Sequence, residues 1–192
     1  MTRFLWLRHG PTHQKAITGW RDVPADLSQT ALIAQIREGL PAEARMISSD
    51  LIRAVATADA LNRGQPRLPH DPDLREINFG AWDGLLPAEV SARDPELSRA
   101  YWENPGDLCP PEGESWNATS ARIERAAQRL HQGGTVIIVA HYGAILTQLQ
   151  RATGQTATEA LGQYIRPLSL TEILWHEDGR RQLLRVDELP AQ

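Results

Sequence analysis

Short apolar runs alternate along this chain with longer stretches in which apolar residues recur every three or four positions, a pattern that predicts strands alternating with helices. Phe4-Leu5-Trp6-Leu7 is a compact apolar run that breaks off in Arg8-His9-Gly10-Pro11-Thr12. It predicts a buried strand followed by a turn. Ser28 is placed to cap a helix carrying Ala31, Leu32, Ile36 and Leu40, with Gly39 and Pro41 ending it. Arg45-Met46-Ile47-Ser48 predicts a second strand. Asp50 is placed to cap a helix through Leu51, Ala54, Val55, Ala58 and Leu61 that ends near Gly64.

A long helix is predicted over Ser115–His131, with Gly133-Gly134 stopping it. Thr135 to Ala140 is β-branched and apolar throughout, as a central parallel strand requires. Gly143 to Ala152 reads as helix. Leu170–Trp175 and Gln182–Val186 read as two strands joined at Asp178-Gly179, a strong hairpin signal. Strands alternating with helices imply an α/β sandwich around a mostly parallel sheet.

Composition narrows the classes that need considering. A chain of 192 residues, 41% hydrophobic and 23% charged, can bury a core without disulfides or a structural metal, and one domain is the expectation. Cys109 is the single cysteine, which excludes an intramolecular disulfide and fits a reducing compartment. No apolar run approaches the length of a membrane span, and the first residues do not form a charged-then-apolar leader. The expected compartment is the cytoplasm. Net charge is −4, which disfavours nucleic acid as a partner. Its distribution says more: Asp71 to Glu114 holds eleven acids against three arginines, so the rest of the chain is positive.

In a parallel α/β sheet, ligands bind at the carboxyl ends of the strands. Arg8 and His9 follow the first strand, Ser48, Ser49 and then Arg53 follow the second, and His141 follows the apolar strand ending at Ala140. Glu76 lies in Leu74-Arg75-Glu76-Ile77-Asn78-Phe79-Gly80-Ala81-Trp82-Asp83-Gly84, between strand and helices. This set suits a phosphoryl group. Arg8 and Arg53 supply planar bidentate donors, and a helix N-terminus after His141 would add backbone N–H groups. A neutral imidazole whose other nitrogen is held by an acceptor is a nucleophile toward phosphorus, and His9 is placed for that. Glu76 is the candidate acid for a departing alkoxide, with Glu114 and Asp83 as competitors. His141 would stabilise charge in flight.

Leu7-Arg8-His9-Gly10-Pro11-Thr12 resembles the Arg-His-Gly signature of the histidine phosphatase superfamily. Ser48 to Ala58 is similar to that family's second-arginine block, Leu74 to Gly84 to its acid block, Gly113-Glu114-Ser115 to its pre-helix block and Val136 to Ala144 to its second-histidine block. Five blocks in the family's order cover most of residues 3 to 150. The resemblance implies a phosphoglycerate mutase-like fold, a three-layer α/β/α sandwich over residues 1–192 with a small inserted cap at about 85–115. It implies that His9 is the phosphorylated nucleophile, that Arg8, Arg53 and His141 complete the phosphate pocket, and that Glu76 is the proton donor.

Members of this family include mutases, broad phosphomonoesterases, fructose-bisphosphatase domains and α-ribazole phosphatases. Thr18-Gly19-Trp20 followed by Asp22 and Leu27 resembles the mutase substrate loop, but the mutases carry a basic inserted region where this chain is acidic. The expectation is therefore a metal-independent phosphomonoesterase acting through phosphohistidine, with mutase-type transfer or a non-catalytic phospho-ligand binder as alternatives. Thr12, Lys15, Thr18, Gly19 and Tyr142 are expected to contact substrate. Lys15 and Tyr142 depart from the family's pattern, Tyr142 standing where glycine is usual. Tyr101, Trp102 and Trp116 either face a substrate ring or form the cap's own core. No metal, cofactor, nucleic acid or membrane is expected; the partner is a small phosphomonoester, and a homodimer is left open.

Other phosphatase chemistries lack their residues. A cysteine-dependent phosphatase needs Arg six positions after its cysteine, and Ser115 stands there. A P-loop needs Gly-Lys-Ser/Thr, and Lys15, the only lysine, follows Gln14. No Gly-x-Ser-x-Gly elbow is present.

Overall fold

A computed structural model describes residues 1–189. Five strands form one sheet in the order β2-β3-β1-β4-β5, with β1 at Thr2–Arg8, β2 at Arg45–Ser48, β3 at Gly134–Ala140, β4 at Leu170–Trp175 and β5 at Arg181–Glu188. β2, β3 and β1 pair in parallel, whereas β4 is antiparallel to both β1 and β5. Four strands thus run one way and β4 alone is reversed. The mostly parallel sheet expected from the alternation is present, and the tail hairpin supplies its antiparallel edge.

Strand side chains alternate between faces, and here both faces are covered. Phe4, Trp6, Val136, Ile138 and Ala140 enter one core with Ile123 and Ala126 of helix α5 (Trp116–Leu130) and Ile145 of helix α6 (Tyr142–Thr153). Leu5, Leu7, Ile137 and Val139 enter a second core on the other face. There they meet Ile33 and Ile36 of helix α1 (Thr30–Gly39) and Ala54, Ala58 and Leu61 of helix α2 (Ile52–Leu61). Two cores separated by one sheet make the three-layer α/β/α sandwich.

The expected cap stretch holds helices α3 (Pro87–Arg93) and α4 (Pro95–Glu103), each opened by a proline at its first position, where a missing N–H costs nothing. Helix α7 (Ala157–Leu161) follows α6. Ser115 caps α5 as its sequence position suggests, accepting from the Ala118 N–H at 3.0 Å.

Two other caps differ from expectation. Ser28 does not cap α1: Gln29 occupies the cap position and no side chain bonds there. Asp50 does not cap α2, because both of its oxygens are taken by Arg75 at 2.7 and 2.5 Å. The free N–H of Ile52 is instead satisfied by Asp22, 30 residues away, at 2.7 Å. That helix also stops at Leu61, three residues before Gly64.

Candidate active site

The carboxyl ends of three neighbouring strands meet on one edge of the sheet, and the ladder carries on past them. The His9 N–H donates to the Ala140 carbonyl at 3.0 Å and the Ser49 N–H to the Val139 carbonyl at 3.1 Å. The residues that follow β1, β2 and β3 are therefore fixed relative to one another by backbone bonds. The rings of His9 and His141 lie 5.1 Å apart between centroids.

His9 is buried, and its Nδ1 lies 2.7 Å from the Gly10 carbonyl oxygen. A carbonyl can only accept, so Nδ1 carries the proton and Nε2 holds a lone pair. Burial, with the Arg53 and Arg8 cations nearby, pushes the His9 pKa down to about 3, so the ring is neutral in the empty site. Gly10 is anchored in turn: its N–H donates to Thr57 Oγ1 at 3.0 Å, and that hydroxyl donates to the Arg53 carbonyl at 2.7 Å.

Arg53 is almost wholly buried, at the second position of α2. It donates to the Gly19 carbonyl at 2.6 Å and the Arg21 carbonyl at 3.0 Å, which leaves three of its five N–H groups for a ligand. Arg8 donates through Nη1 to the Ile165 carbonyl at 2.5 Å, and its guanidinium lies 5.0 Å from the centre of the Tyr142 ring. Its Nε is buried without a partner. Desolvation lowers the pKa of both arginines, which remain cations at any ordinary pH.

His141 is completely buried, with Nε2 2.8 Å from Ser49 Oγ and Nδ1 without a partner. Burial first, then Arg53 and His9, holds its pKa well below the ordinary histidine value.

Glu76 is buried and bonded entirely to backbone on its carboxylate. Oε2 accepts from Gly143 at 3.0 Å, while Oε1 accepts from Ala144 at 3.2 Å and from Ile77 at 3.0 Å. The N–H groups at the start of α6, expected to face a phosphoryl group, are thus taken by Glu76. The carboxylate serves as the missing cap of that helix, and Oε2 keeps one unused lone pair. Its carbonyl is braced by the Trp20 indole at 2.8 Å and by Arg122 at 3.0 Å. The fit is close: a Cβ on Gly143 would stand 2.5 Å from Glu76 Oε1.

These groups border a cavity of about 270 Å³. Arg8, His9, Thr12, Thr18, Arg53 and Glu76 line it, as does Tyr142. His141 is not itself part of the wall. Gly19 acts from outside by holding Arg53, and its own Cβ position is closed by the Ile77 carbonyl at 2.5 Å. Lys15 is exposed and lines no part of the cavity, so the structure does not bring it to the site. Of the competing acids, Glu114 is committed to Arg122 and Asp83 to the Gly19 and Arg21 N–H groups. His13 stands four residues from His9, a spacing that can serve a metal, but it pairs with Asp26 at 2.8 Å on the surface.

The profile of the histidine phosphatase superfamily (branch 1) matches residues 4–188. The chain belongs to the histidine phosphatase superfamily. The chain is 34% identical over 206 aligned residues to a bifunctional protein of Mycobacterium tuberculosis, covering 97% of the chain and 54% of that protein. It thus spans about half the length of such curated relatives. It is 30% identical to a metal-independent phosphoserine phosphatase of Arabidopsis thaliana, over 93% of the chain and 81% of the relative. Among solved structures, Bacillus stearothermophilus YhfR superposes with a TM-score of 0.87 at 25% identity, covering 98% of both chains.

Sequence reasoning missed Thr57, Trp20 and Asp22 as supports of this site, and named Ser49 only by its place after the second strand. It also missed Gln14, Ile17, Phe79 and Leu161 in the cavity wall. Tyr101 and Trp116 are buried in the core, whereas Trp102 lines the cavity. Among the described residues no helix is long and apolar enough to cross a membrane.

Proposed function

We propose that the chain is a metal-independent phosphomonoesterase that hydrolyses a small phosphorylated metabolite through a phosphohistidine on His9. The observation that carries this reading is the bond from His9 Nδ1–H to the Gly10 carbonyl, which leaves Nε2 unprotonated on a residue that lines the cavity. Nε2 attacks phosphorus and forms the N–P bond as the ester P–O bond breaks. Glu76 gives its proton to the departing alkoxide, which leaves as the alcohol. Water then attacks phosphorus, Glu76 takes a proton from it, and the N–P bond breaks to release inorganic phosphate. Arg8 and Arg53, which line the cavity, hold the oxygens that gain charge.

A binder that never turned over would need the arginines but neither the oriented His9 nor Glu76. Mutase-type transfer shares the first half of the sequence and differs in the acceptor, which here is water. Among the family's phosphatase substrates, an α-ribazole phosphate remains one candidate metabolite.

Hydrolysis of p-nitrophenyl phosphate at mildly acid pH, with and without chelator, tests the reading. The wild type is expected to turn over equally in both conditions, and His9→Ala to lose at least about a thousandfold in kcat. Undiminished turnover in His9→Ala, or an inactive wild type across a broad panel of monoesters, contradicts it.

A further inference from the structure

The residues that line the cavity divide into a pair of arginines and a largely uncharged remainder. Among the described residues, Arg8 and Arg53 are the only cations that line it, and the phosphoryl group engages both. The cations nearby already have partners. Arg21 lies 3.7 Å from Asp83, Arg75 is bound through two nitrogens to Asp50, and Arg122 is bound to Glu114. Lys15 is outside. A second anionic group on the substrate would therefore lose its hydration without gaining a partner.

Besides His9 and Glu76, the rest of the wall has polar Thr12, Gln14 and Thr18, small Ala16 and Gly143, and a larger apolar part made of Ile17, Ile77, Phe79, Trp102, Tyr142 and Leu161. Trp102 sits on α4, with 41% of its surface exposed. Its ring is held edge-to-face against Tyr101 at 4.8 Å and lies 6.1 Å from Phe79. A large indole kept open to solvent at the rim of a site, and fixed there by two aromatic neighbours, is a ready surface for an apolar ligand. The cavity volume of about 270 Å³ compares with roughly 150 Å³ for a cavity that encloses a benzene ring, leaving space for one ring beside a phosphoryl group.

We propose that the alcohol half of the substrate is uncharged and apolar, an aromatic or branched aliphatic group packed against Trp102 and Phe79, and that phosphorylated hydroxy and amino acids are poor substrates. This rests on the phosphatase reading above.

The test compares kcat/KM for three primary alkyl phosphates: 2-phenylethyl phosphate, ethyl phosphate and O-phosphoserine. The phenylethyl ester is expected to exceed the ethyl ester by about tenfold or more, chiefly through KM, with phosphoserine below both. Trp102→Ala lowers the phenylethyl-to-ethyl ratio by about fivefold or more, and Trp102→Phe keeps most of it. A ratio taken within one preparation is unaffected by the fraction of folded enzyme. Phosphoserine preferred over the phenylethyl ester, or a ratio unchanged in Trp102→Ala, overturns the proposal. Absence of turnover on every ester by the wild type overturns the phosphatase reading itself, and this proposal with it.

Discussion

His9 and Glu76 are held by backbone groups in opposite senses: the imidazole donates to a carbonyl, while the carboxylate accepts from three N–H groups. Each is thereby oriented for a different half of proton and phosphoryl transfer. Glu76→Gln keeps the size of the side chain and removes the acid proposed to pass a proton to the leaving group. It is expected to retain phosphate binding while losing about a hundredfold or more in kcat on alkyl phosphates, and much less on p-nitrophenyl phosphate, whose leaving group needs no proton. Equal alkyl-phosphate activity in mutant and wild type would move the acid elsewhere. The buried histidines also give stability a pH dependence. In the unfolded chain His9 takes up a proton near pH 6.5, whereas in the fold it stays neutral down to about pH 3, and His141 behaves alike in direction. Their contribution is complete above pH 6.5 and is lost progressively as pH falls toward the depressed value. Urea unfolding between pH 6 and 4 should show a slope shallower by on the order of 1 kcal/mol per pH unit in His9→Gln than in wild type. Identical slopes would mean that His9 is not held neutral. Arg8, His9, Arg53, Glu76 and His141 were legible as residues because each stands at the end of a strand or in a distinctive block. Ser49 and Thr57 were not, because what defines them is a partner far along the chain, His141 for one and Gly10 for the other.

Elements with strong apolar pattern were readable nearly to the residue. β3 begins one position before the apolar run, and α6 begins at Tyr142 where Gly143 was expected. Phe4–Leu7 of β1 and Val136–Ala140 of β3 are buried on both faces, so these runs are continuously apolar and stand out from their flanks. Helix starts were the weak point, for one physical reason. A local cap reads as Ser, Thr, Asp or Asn just before the helix, but α2 is satisfied by Asp22 from another segment and α6 by Glu76, 67 residues before Gly143. Such caps are supplied by tertiary structure. Asp50 was drawn away from its helix by Arg75, a charge-assisted pair stronger than a single cap bond. The acidic stretch before Ser115 gave no periodicity to follow, and α3 and α4 show themselves only through Pro87 and Pro95.

Across the whole molecule, the division between an acidic middle and a positive remainder resolves into ion pairs that join distant segments. Asp71 and Asp73 both bind Arg129 of α5, Glu114 binds Arg122, and Asp83 faces Arg21. Of the eleven acids between Asp71 and Glu114, only Glu76 lines the cavity. The local positive field at the site thus comes from two arginines that have no carboxylate bonded to them. They are held by the backbone carbonyls of residues 19, 21 and 165, so their charge is left for a ligand. Composition could report the imbalance but not which acids are consumed by pairing, since that depends on which segments the sheet brings together. The central claim is that a phosphoryl group passes through His9. Rapid quench into base during turnover of a phosphate ester labelled with ³²P, followed by peptide mapping, measures this directly. The account predicts an acid-labile, base-stable label on His9 that is absent from His9→Ala; label on another residue, or none while product forms, would contradict it.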